Sequence, residues 1–253
     1  MALTMQLLIL ILLPTAFLLP PAARTGEIIG GWEAQPHSRP YMAYLDIQRG
    51  TKYVFCGGFL VTQNFVVTAA HCNGDKINVT LGAHNVRKPG GSEEVISAGR
   101  RIRHPQYNNT TFNNDIMLLQ LSKNVTLTNV VSTINLPPAP HRVPPGTTCS
   151  VAGWGRTSLN HTTDTLREVN LTVMSNETCN RRYPNYDPSS MLCAGDPGDK
   201  KTFYRGDSGG PLVCGGVAEG IVSHCIANSI APPGVYTRIS HFMPWINDTM
   251  RRI

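Results

Sequence analysis

The sequence predicts an all-β protein of antiparallel strands, arranged as a barrel or a sandwich, with a helix at its C-terminus. Beyond residue 28, short β-prone runs alternate with turn residues at regular spacing. The 23 glycines and 19 prolines, with few long helical patterns, argue against a helical bundle or a doubly wound nucleotide-binding fold. The β-prone runs include 42–47, 58–62, 65–69, 77–81, 116–121, 171–174, 212–213 and 220–222.

A proline-rich segment divides this strand pattern into two parts. Residues 136–145 contain five prolines, which a central strand would not tolerate, because proline lacks the N–H that a sheet needs. We therefore expect a linker between two sub-domains near residues 133–148.

A clear helical pattern is found at the end of the chain. Phe242, Trp245 and Ile246 are spaced as on one face of a helix. Ser240 is expected to cap this helix, with Pro244 in its first turn. Two arginines at its end suit the negative end of a helix dipole.

The first 25 residues have the pattern of a secretory signal peptide. An apolar run of about 13 residues, Leu7 to Leu19, is too short to span a bilayer comfortably. No later stretch approaches the length of a membrane span. Seven cysteines indicate an oxidising compartment, and eight Asn-x-Ser/Thr acceptors predict a glycoprotein. The acceptors are Asn78, Asn108, Asn109, Asn124, Asn160, Asn170, Asn176 and Asn247.

The composition is that of a folded, basic protein. Hydrophobic residues make up 41% of the chain, which excludes a disordered protein. The net charge of +6 favours acidic surroundings such as proteoglycan or a bacterial surface, although basicity alone would fit nucleic acid equally well.

Three short motifs suggest nucleophilic catalysis. Ser208 lies within Gly206–Gly210, a glycine-rich turn that could expose its hydroxyl and aim N–H groups at an oxyanion. His71 lies in Thr-Ala-Ala-His-Cys, and Asp115 heads an apolar strand. Separately they could be a turn serine, a core histidine and a turn carboxylate. Together, in the order His, Asp, Ser, they predict a nucleophile with its base and an orienting acid.

These motifs resemble the chymotrypsin-like serine proteases, from Ile28 to the C-terminus. Within that family the sequence is similar to the leukocyte granule branch, the group of cathepsin G-like proteases, granzymes and mast-cell chymases. The family motifs are Ile28–Gly31, Cys56–Gly58, Ala69–Cys72, Ala152–Gly155, Gly206–Gly210 and Pro233–Tyr236, and the branch motifs are Pro36–Leu45, Arg103–Tyr107 and Asp164–Val169.

The resemblance implies two antiparallel six-stranded β-barrels with a C-terminal helix, forming a serine peptidase domain over residues 28–253. It implies Ser208 as the nucleophile, His71 as the general base and then acid, and Asp115 as the group that orients the imidazole. The N–H groups of Gly206 and Ser208 would form the oxyanion hole, and the backbone of Ser223 would pair with the substrate strand.

The resemblance also implies activation by removal of the dipeptide Gly26-Glu27. The freed ammonium of Ile28 would then pair with Asp207 and order the oxyanion turn. Until that cleavage the protein would be a zymogen.

Six cysteines pair by resemblance, as Cys56 with Cys72, Cys149 with Cys214, and Cys179 with Cys193. Cys225 remains, and two interpretations stay open: a buried inert thiol, or a reactive thiol that forms an intermolecular disulfide.

The implied specificity pocket departs from the family pattern. Thr202 stands where an aspartate would select Arg or Lys, and Gly234 where some granule proteases carry an acidic residue. Phe203 and Cys225 replace smaller residues, while Ser223 matches the family. We therefore expect an apolar, shallow pocket that favours Leu, Met or Val, with Phe and Tyr left open.

The resemblance thus implies a serine endopeptidase of the secretory pathway, stored in a granule or a lysosome-like compartment and then released, with a role in innate antimicrobial defence. Expected partners are protein and peptide substrates, protein protease inhibitors and heparin-like polyanions or bacterial surfaces, with no specific nucleic acid and a monomeric state. No cofactor and no metal site is expected. The alternative is a cationic binding protein on an inactive protease scaffold. Inactive relatives lose the catalytic His or Ser, and both are present here.

Overall fold

The computed structural model describes residues 28, 30–88, 90–157, 161–195, 198, 201–226 and 231–253. The predicted signal peptide, Gly26-Glu27, Ile29, Asn160 and Lys200 lie outside the described residues. In chain order, the strands are β1 (Trp32–Glu33), β2 (Met42–Arg49), β3 (Lys52–Thr62), β4 (Phe65–Thr68), β5 (Lys76–Leu81), β6 (Glu94–Arg103), β7 (Met117–Leu121), β8 (Thr148–Gly153), β9 (Arg167–Thr172), β10 (Met191–Ala194), β11 (Pro211–Cys214), β12 (Val217–His224) and β13 (Gly234–Arg238).

The first half of the chain forms a closed barrel. Six antiparallel strands follow each other in the order β2-β3-β4-β7-β6-β5. In β5, Ile77, Val79 and Leu81 point into the core and alternate with less buried residues, the period-two pattern of a strand with one buried face. The predicted all-β class is confirmed by this barrel and by the second sheet.

The second half forms a seven-stranded sheet in the order β1-β9-β8-β11-β12-β13-β10. Strand β10, at one edge of this sheet, approaches β9 near the other edge. An isolated bridge pairs Val173, the residue after β9, with Ala194 of β10. The N–H of Gly195 also donates to the carbonyl of Thr172 at 2.9 Å. The six strands β8–β13 therefore close on themselves through short contacts, and β1 adds to β9 from outside. We call this unit the second barrel: it has the six antiparallel strands that the resemblance implied, but β9 and β10 meet through these short contacts and not through a full ladder.

The segment between β7 and β8, residues 122–147, connects the two units. Its residues form no strand, apart from an isolated bridge between Asn135 and Val217. It spans most of the linker predicted near 133–148.

Two α-helices are present among the described residues, α1 (Asn176–Arg182) and α2 (Ile239–Arg251). The C-terminal helix was predicted, but Ser240 does not cap it. Arg238 occupies the cap position, and the Ser240 hydroxyl donates to the carbonyl of His141 at 2.7 Å. Pro244 is the sixth residue of α2, so it lies beyond the first turn.

The sequence pattern missed α1. Only Cys179 is buried in this helix, so the helix has no apolar stripe that could reveal it. Its signals are local: the Ser175 hydroxyl accepts from the N–H of Thr178 at 3.2 Å, and Glu177 pairs with Arg181. In the described part of the chain, no helix combines the length and apolarity that a membrane crossing requires.

Candidate active site

His71 and Asp115 form a hydrogen-bonded pair at one end of the first barrel. His71 lies in the short 3₁₀ turn Ala70–Cys72, which follows β4, and Asp115 lies just before β7. The Nδ1 atom of His71 is 2.8 Å from Oδ2 of Asp115, and the backbone N–H of His71 donates to Oδ1 at 3.0 Å. Asp115 is fully buried, whereas the His71 side chain is partly exposed. Asp115 therefore fixes the orientation of the imidazole through Nδ1, while part of the His71 side chain stays accessible to solvent.

Electrostatics keep Asp115 ionised. Burial alone would raise its pKa, but the charge of the facing His71 and the hydrogen bonds from His71 and Ser223 outweigh burial and hold the pKa below its ordinary value. An ionised carboxylate can only accept hydrogen bonds. The Nδ1 atom of His71 must therefore carry a proton, which leaves Nε2 available as a base.

Two residues of the second barrel hold Asp115 in place. The hydroxyl of Ser223, in β12, donates to Asp115 Oδ2 at 2.6 Å. The hydroxyl of Thr237, in β13, donates to the Asp115 carbonyl at 2.8 Å. The carboxylate therefore lies where the two barrels meet.

Ser208 lies in a turn that is tied to the first barrel. The N–H of Gly57 donates to the Ser208 carbonyl at 2.8 Å. Cys56, which precedes Gly57, is bonded to Cys72, the residue after His71. One disulfide and one backbone hydrogen bond therefore hold the turn of Ser208 beside the segment of His71.

Two glycines of this turn have no room for a side chain. Gly206 has a φ of +105°, and a Cβ there would lie 2.3 Å from the ring of Phe55. Gly209 has a φ of +82°, and its Cβ would lie 2.1 Å from Oγ1 of Thr68. Both positions combine a left-handed backbone with a close contact, so only glycine fits them.

The N–H groups of the turn divide into two sets. Those of Asp207, Gly209 and Gly210 donate to backbone carbonyls of the protein. Those of Gly206 and Ser208 donate to no group in the described part of the chain. These two N–H groups are the pair predicted to form the oxyanion hole, and they remain available to a ligand.

No hydrogen bond joins the Ser208 hydroxyl to His71 among the described residues. Such bonds are often long in an empty site and shorten only when substrate is bound. The structure thus brings His71 and Asp115 into direct contact and places the Ser208 turn beside them.

Asp207 is fully buried next to Ser208. Its carboxylate accepts from the N–H groups of Gly155 at 2.8 Å and Tyr204 at 3.0 Å. Burial raises its pKa to about 7, although these two hydrogen bonds oppose the rise. Within the ranges that the structure describes, no cationic group acts on this carboxylate. Residue 27 precedes Ile28 in this chain, so Ile28 has no free amino group to pair with it. Ile28 is itself buried in the core of the second barrel.

Three disulfides link the cysteines in the pairs that the resemblance implied, Cys56–Cys72, Cys149–Cys214 and Cys179–Cys193. Cys225 is in none of them and is partly exposed. Burial raises the pKa of its thiol, which disfavours the reactive thiolate. Cys56, His71 and Cys72 also form a cluster of metal-ligating residue types, but the two sulfurs are bonded to each other.

The residues of the predicted specificity pocket lie in the second barrel. Phe203 is buried, and its ring packs edge-on against Tyr236 with centroids 5.2 Å apart. A Cβ on Gly234 would lie 2.2 Å from this ring, so Phe203 occupies the space that a side chain at 234 would need. Thr202 is buried, and its hydroxyl has no hydrogen-bond partner among the residues described.

The structure adds aromatic residues that the sequence did not single out. The ring of Phe112 packs edge-on against His71, with centroids 5.8 Å apart, and stacks on His224 at 4.8 Å. Tyr183 packs edge-on against His224, with centroids 5.7 Å apart. For His224, the one sequence signal of a position near the site is that it directly follows Ser223.

Comparisons with known proteins agree with this geometry. Residues 28–246 match the family model described as Trypsin. Cathepsin G of Homo sapiens is 54% identical over 247 residues, which cover 98% of this chain and 95% of that protein. Duodenase-1 of Bos taurus is 54% identical over 246 residues, covering 97% of each chain. A solved structure described as "Structure of GrC" has a TM-score of 0.83 at 44% identity, covering 88% of this chain and 99% of that one. The chain therefore belongs to the trypsin family of serine endopeptidases and, within it, to the leukocyte granule branch that its motifs predicted.

Proposed function

We propose that this protein cleaves peptide bonds through an acyl-enzyme on Ser208, with a preference for an apolar residue before the scissile bond. The observation that carries the proposal is the hydrogen bond between His71 and Asp115, with Nδ1 and Oδ2 2.8 Å apart, beside the turn of Ser208. This pair leaves Nε2 of His71 as the atom that accepts a proton.

These positions support the following reaction. His71 takes the proton of the Ser208 hydroxyl while Oγ attacks the carbonyl carbon of the substrate. The N–H groups of Gly206 and Ser208 stabilise the oxyanion, and a donor of this kind contributes roughly 3 to 4 kcal/mol. His71 then gives its proton to the leaving amine, and water releases the acyl group by the reverse sequence of steps. The backbone of Ser223 would align the substrate strand.

The proposed preference rests on the contents of the pocket. Neither Thr202 nor Gly234 supplies a carboxylate, so a buried Lys or Arg side chain would lose its hydration without compensation. The ring of Phe203 lies against Gly234, which supports a shallow site. A cleavage profile of the processed protein on a peptide library tests the proposal: we expect cuts after Leu, Met or Val, and cuts after Lys or Arg would contradict it.

Phe203→Ala is expected to raise kcat/KM for peptides with Phe before the scissile bond about tenfold relative to Leu, because removing the ring relieves crowding. Paired peptides that differ only at that residue measure the ratio. Phe203→Leu serves as the control, since it retains most of the apolar volume and should shift the ratio less. An unchanged ratio in the alanine variant would show that Phe203 does not limit the pocket.

We further propose secretion or granule storage, activation by loss of Gly26-Glu27, glycosylation, and a monomeric enzyme that is controlled by protein protease inhibitors. Relatives named as a mast cell protease and a granzyme, at 52% and 50% identity, support granule storage, and we propose a role in innate defence on the same ground. The basic charge of +6 supports binding to heparin-like polyanions or bacterial surfaces.

Three exposed arginines on β6, Arg100, Arg101 and Arg103, form the best-placed basic cluster for such binding. Two other candidate clusters are Arg181 with Arg182 and Arg251 with Arg252. One arginine of each already forms an ion pair, Arg181 with Glu177 and Arg252 with Asp248. We therefore expect the double variant Arg100→Gln/Arg103→Gln to elute from heparin at lower salt than the wild type. The matched control, Arg181→Gln/Arg252→Gln, removes the same charge and should change elution less. Equal shifts would contradict a site on β6.

A further inference from the structure

His224 is the last residue of β12 and directly follows Ser223. Two sets of contacts link it to the catalytic residues, one through Ser223 and one through Phe112. Its Nδ1 atom is 3.1 Å from the Ser223 hydroxyl oxygen. Its ring is stacked on Phe112, which itself packs edge-on against His71. Tyr183 packs edge-on against His224. These contacts fix the ring of His224 in one orientation.

The direction of the hydrogen bonds follows from the carboxylate. Asp115 can only accept, so the single proton of the Ser223 hydroxyl is donated to Asp115 Oδ2, at 2.6 Å. The Ser223 oxygen must then act as an acceptor toward His224. The Nδ1 atom of His224 therefore carries a proton and donates it to Ser223.

The charge state of His224 is consistent with this arrangement. Burial lowers its pKa to about 4 against the opposing charge of Asp115, and the charge of His71 adds to the lowering. The ring is thus neutral at physiological pH, in the Nδ1–H form. Phe112 and Tyr183, the other rings packed against it, carry no charge at that pH, since the pKa of Tyr183 is raised to about 12 by burial.

We propose that His224 is a positioning residue that acts on Asp115 through the hydroxyl of Ser223. The inference rests on the proposed function, because it concerns the same reaction. A chain of donors runs from His224 to Ser223 to Asp115, and His71 donates to the same carboxylate oxygen from the other side. A donor to the Ser223 oxygen polarises its O–H bond and holds the hydroxyl toward Asp115.

The test uses two substitutions of His224 in the processed enzyme. His224→Phe keeps an aromatic ring against Phe112 but removes the donor, whereas His224→Asn keeps an N–H donor near the position of Nδ1. We expect His224→Phe to lower kcat about 3- to 10-fold with KM changed less than about twofold, as for the loss of one hydrogen bond. His224→Asn should recover most of that kcat.

The same substitution in a Ser223→Ala background separates positioning from substrate contact. Without the Ser223 hydroxyl, His224→Phe should change kcat less than about twofold, because the connection to Asp115 is already lost. An equal loss of kcat in both backgrounds, or a rise in KM at unchanged kcat, would overturn the proposal. Inactivity of the processed wild type would instead overturn the proposed function, and thermal unfolding of each variant verifies that it is folded.

Discussion

Ser208→Ala is expected to lower kcat for peptide hydrolysis by on the order of 10⁶-fold, because it removes the atom that forms the acyl-enzyme. His71 and Asp115 would keep their hydrogen bond, since the Ser208 side chain takes no part in it. The loss should therefore appear in kcat while substrate binding is largely retained. Measurement requires variant protein free of wild-type contamination, because traces of active enzyme would dominate the residual rate.

Matched substitutions distinguish loss of the nucleophile from loss of the fold. Ser208→Ala should unfold at a temperature close to that of the wild type, because its turn is held through backbone groups and the Cys56–Cys72 disulfide. Ser132→Ala, in the segment between the barrels, removes a hydroxyl far from the turn in sequence and should leave turnover near the wild-type value. More than a trace of activity in the Ser208 variant would contradict the assignment.

The second large effect concerns activation. A form that retains Gly26-Glu27 is expected to turn over peptides about 10²- to 10⁴-fold more slowly than the processed form. Asp207 then lacks the ammonium of Ile28, and a missing partner of a buried ion pair costs about 3 to 5 kcal/mol. Rates of the two forms on one peptide measure the difference, and equal rates would contradict the mechanism.

The same carboxylate predicts a pH dependence of stability. In the chain with Ile28 still joined to residue 27, burial raises the pKa of Asp207 to about 7 from an ordinary value of 3.8. A raised pKa stabilises the fold at low pH, and that contribution is lost as pH rises from about 4 through about 7. The unprocessed form should therefore lose unfolding free energy over this range, whereas unprocessed Asp207→Asn should lose less. Asp207→Asn should also stay poorly active after processing.

Much of this fold could be predicted from local patterns. The β-prone run 77–81 and the prolines of residues 136–145 indicated a strand and a division of the chain. The α1 helix escaped prediction because it buries only Cys179, and Ser240 was misread as a cap because its hydroxyl bonds to His141, a residue far away in sequence. Contacts of that kind are set by tertiary packing and leave no periodic signal.

The features of the site also separate into those that the sequence indicated and those that it did not. His71, Asp115 and Ser208 could be singled out in the sequence because each lies in a distinctive motif. The contacts of Phe112 with His71 and His224 could not, because they depend on how the 104–114 loop folds back across the barrel junction, where Phe112 and Asn114 adopt positive φ angles of 58°. Likewise, the packing of Phe203 on Gly234 requires knowing which way the ring points.

The most direct test of the central claim is covalent labelling of the nucleophile. The processed protein would be treated with a fluorophosphonate, which reacts with activated serines, and the labelled peptide would be identified by mass spectrometry. We predict one label per molecule, on Ser208, with peptidase activity lost in proportion to labelling. Complete loss of activity with the label on another residue, or full activity in a protein fully labelled at Ser208, would contradict the assignment of Ser208 as the nucleophile.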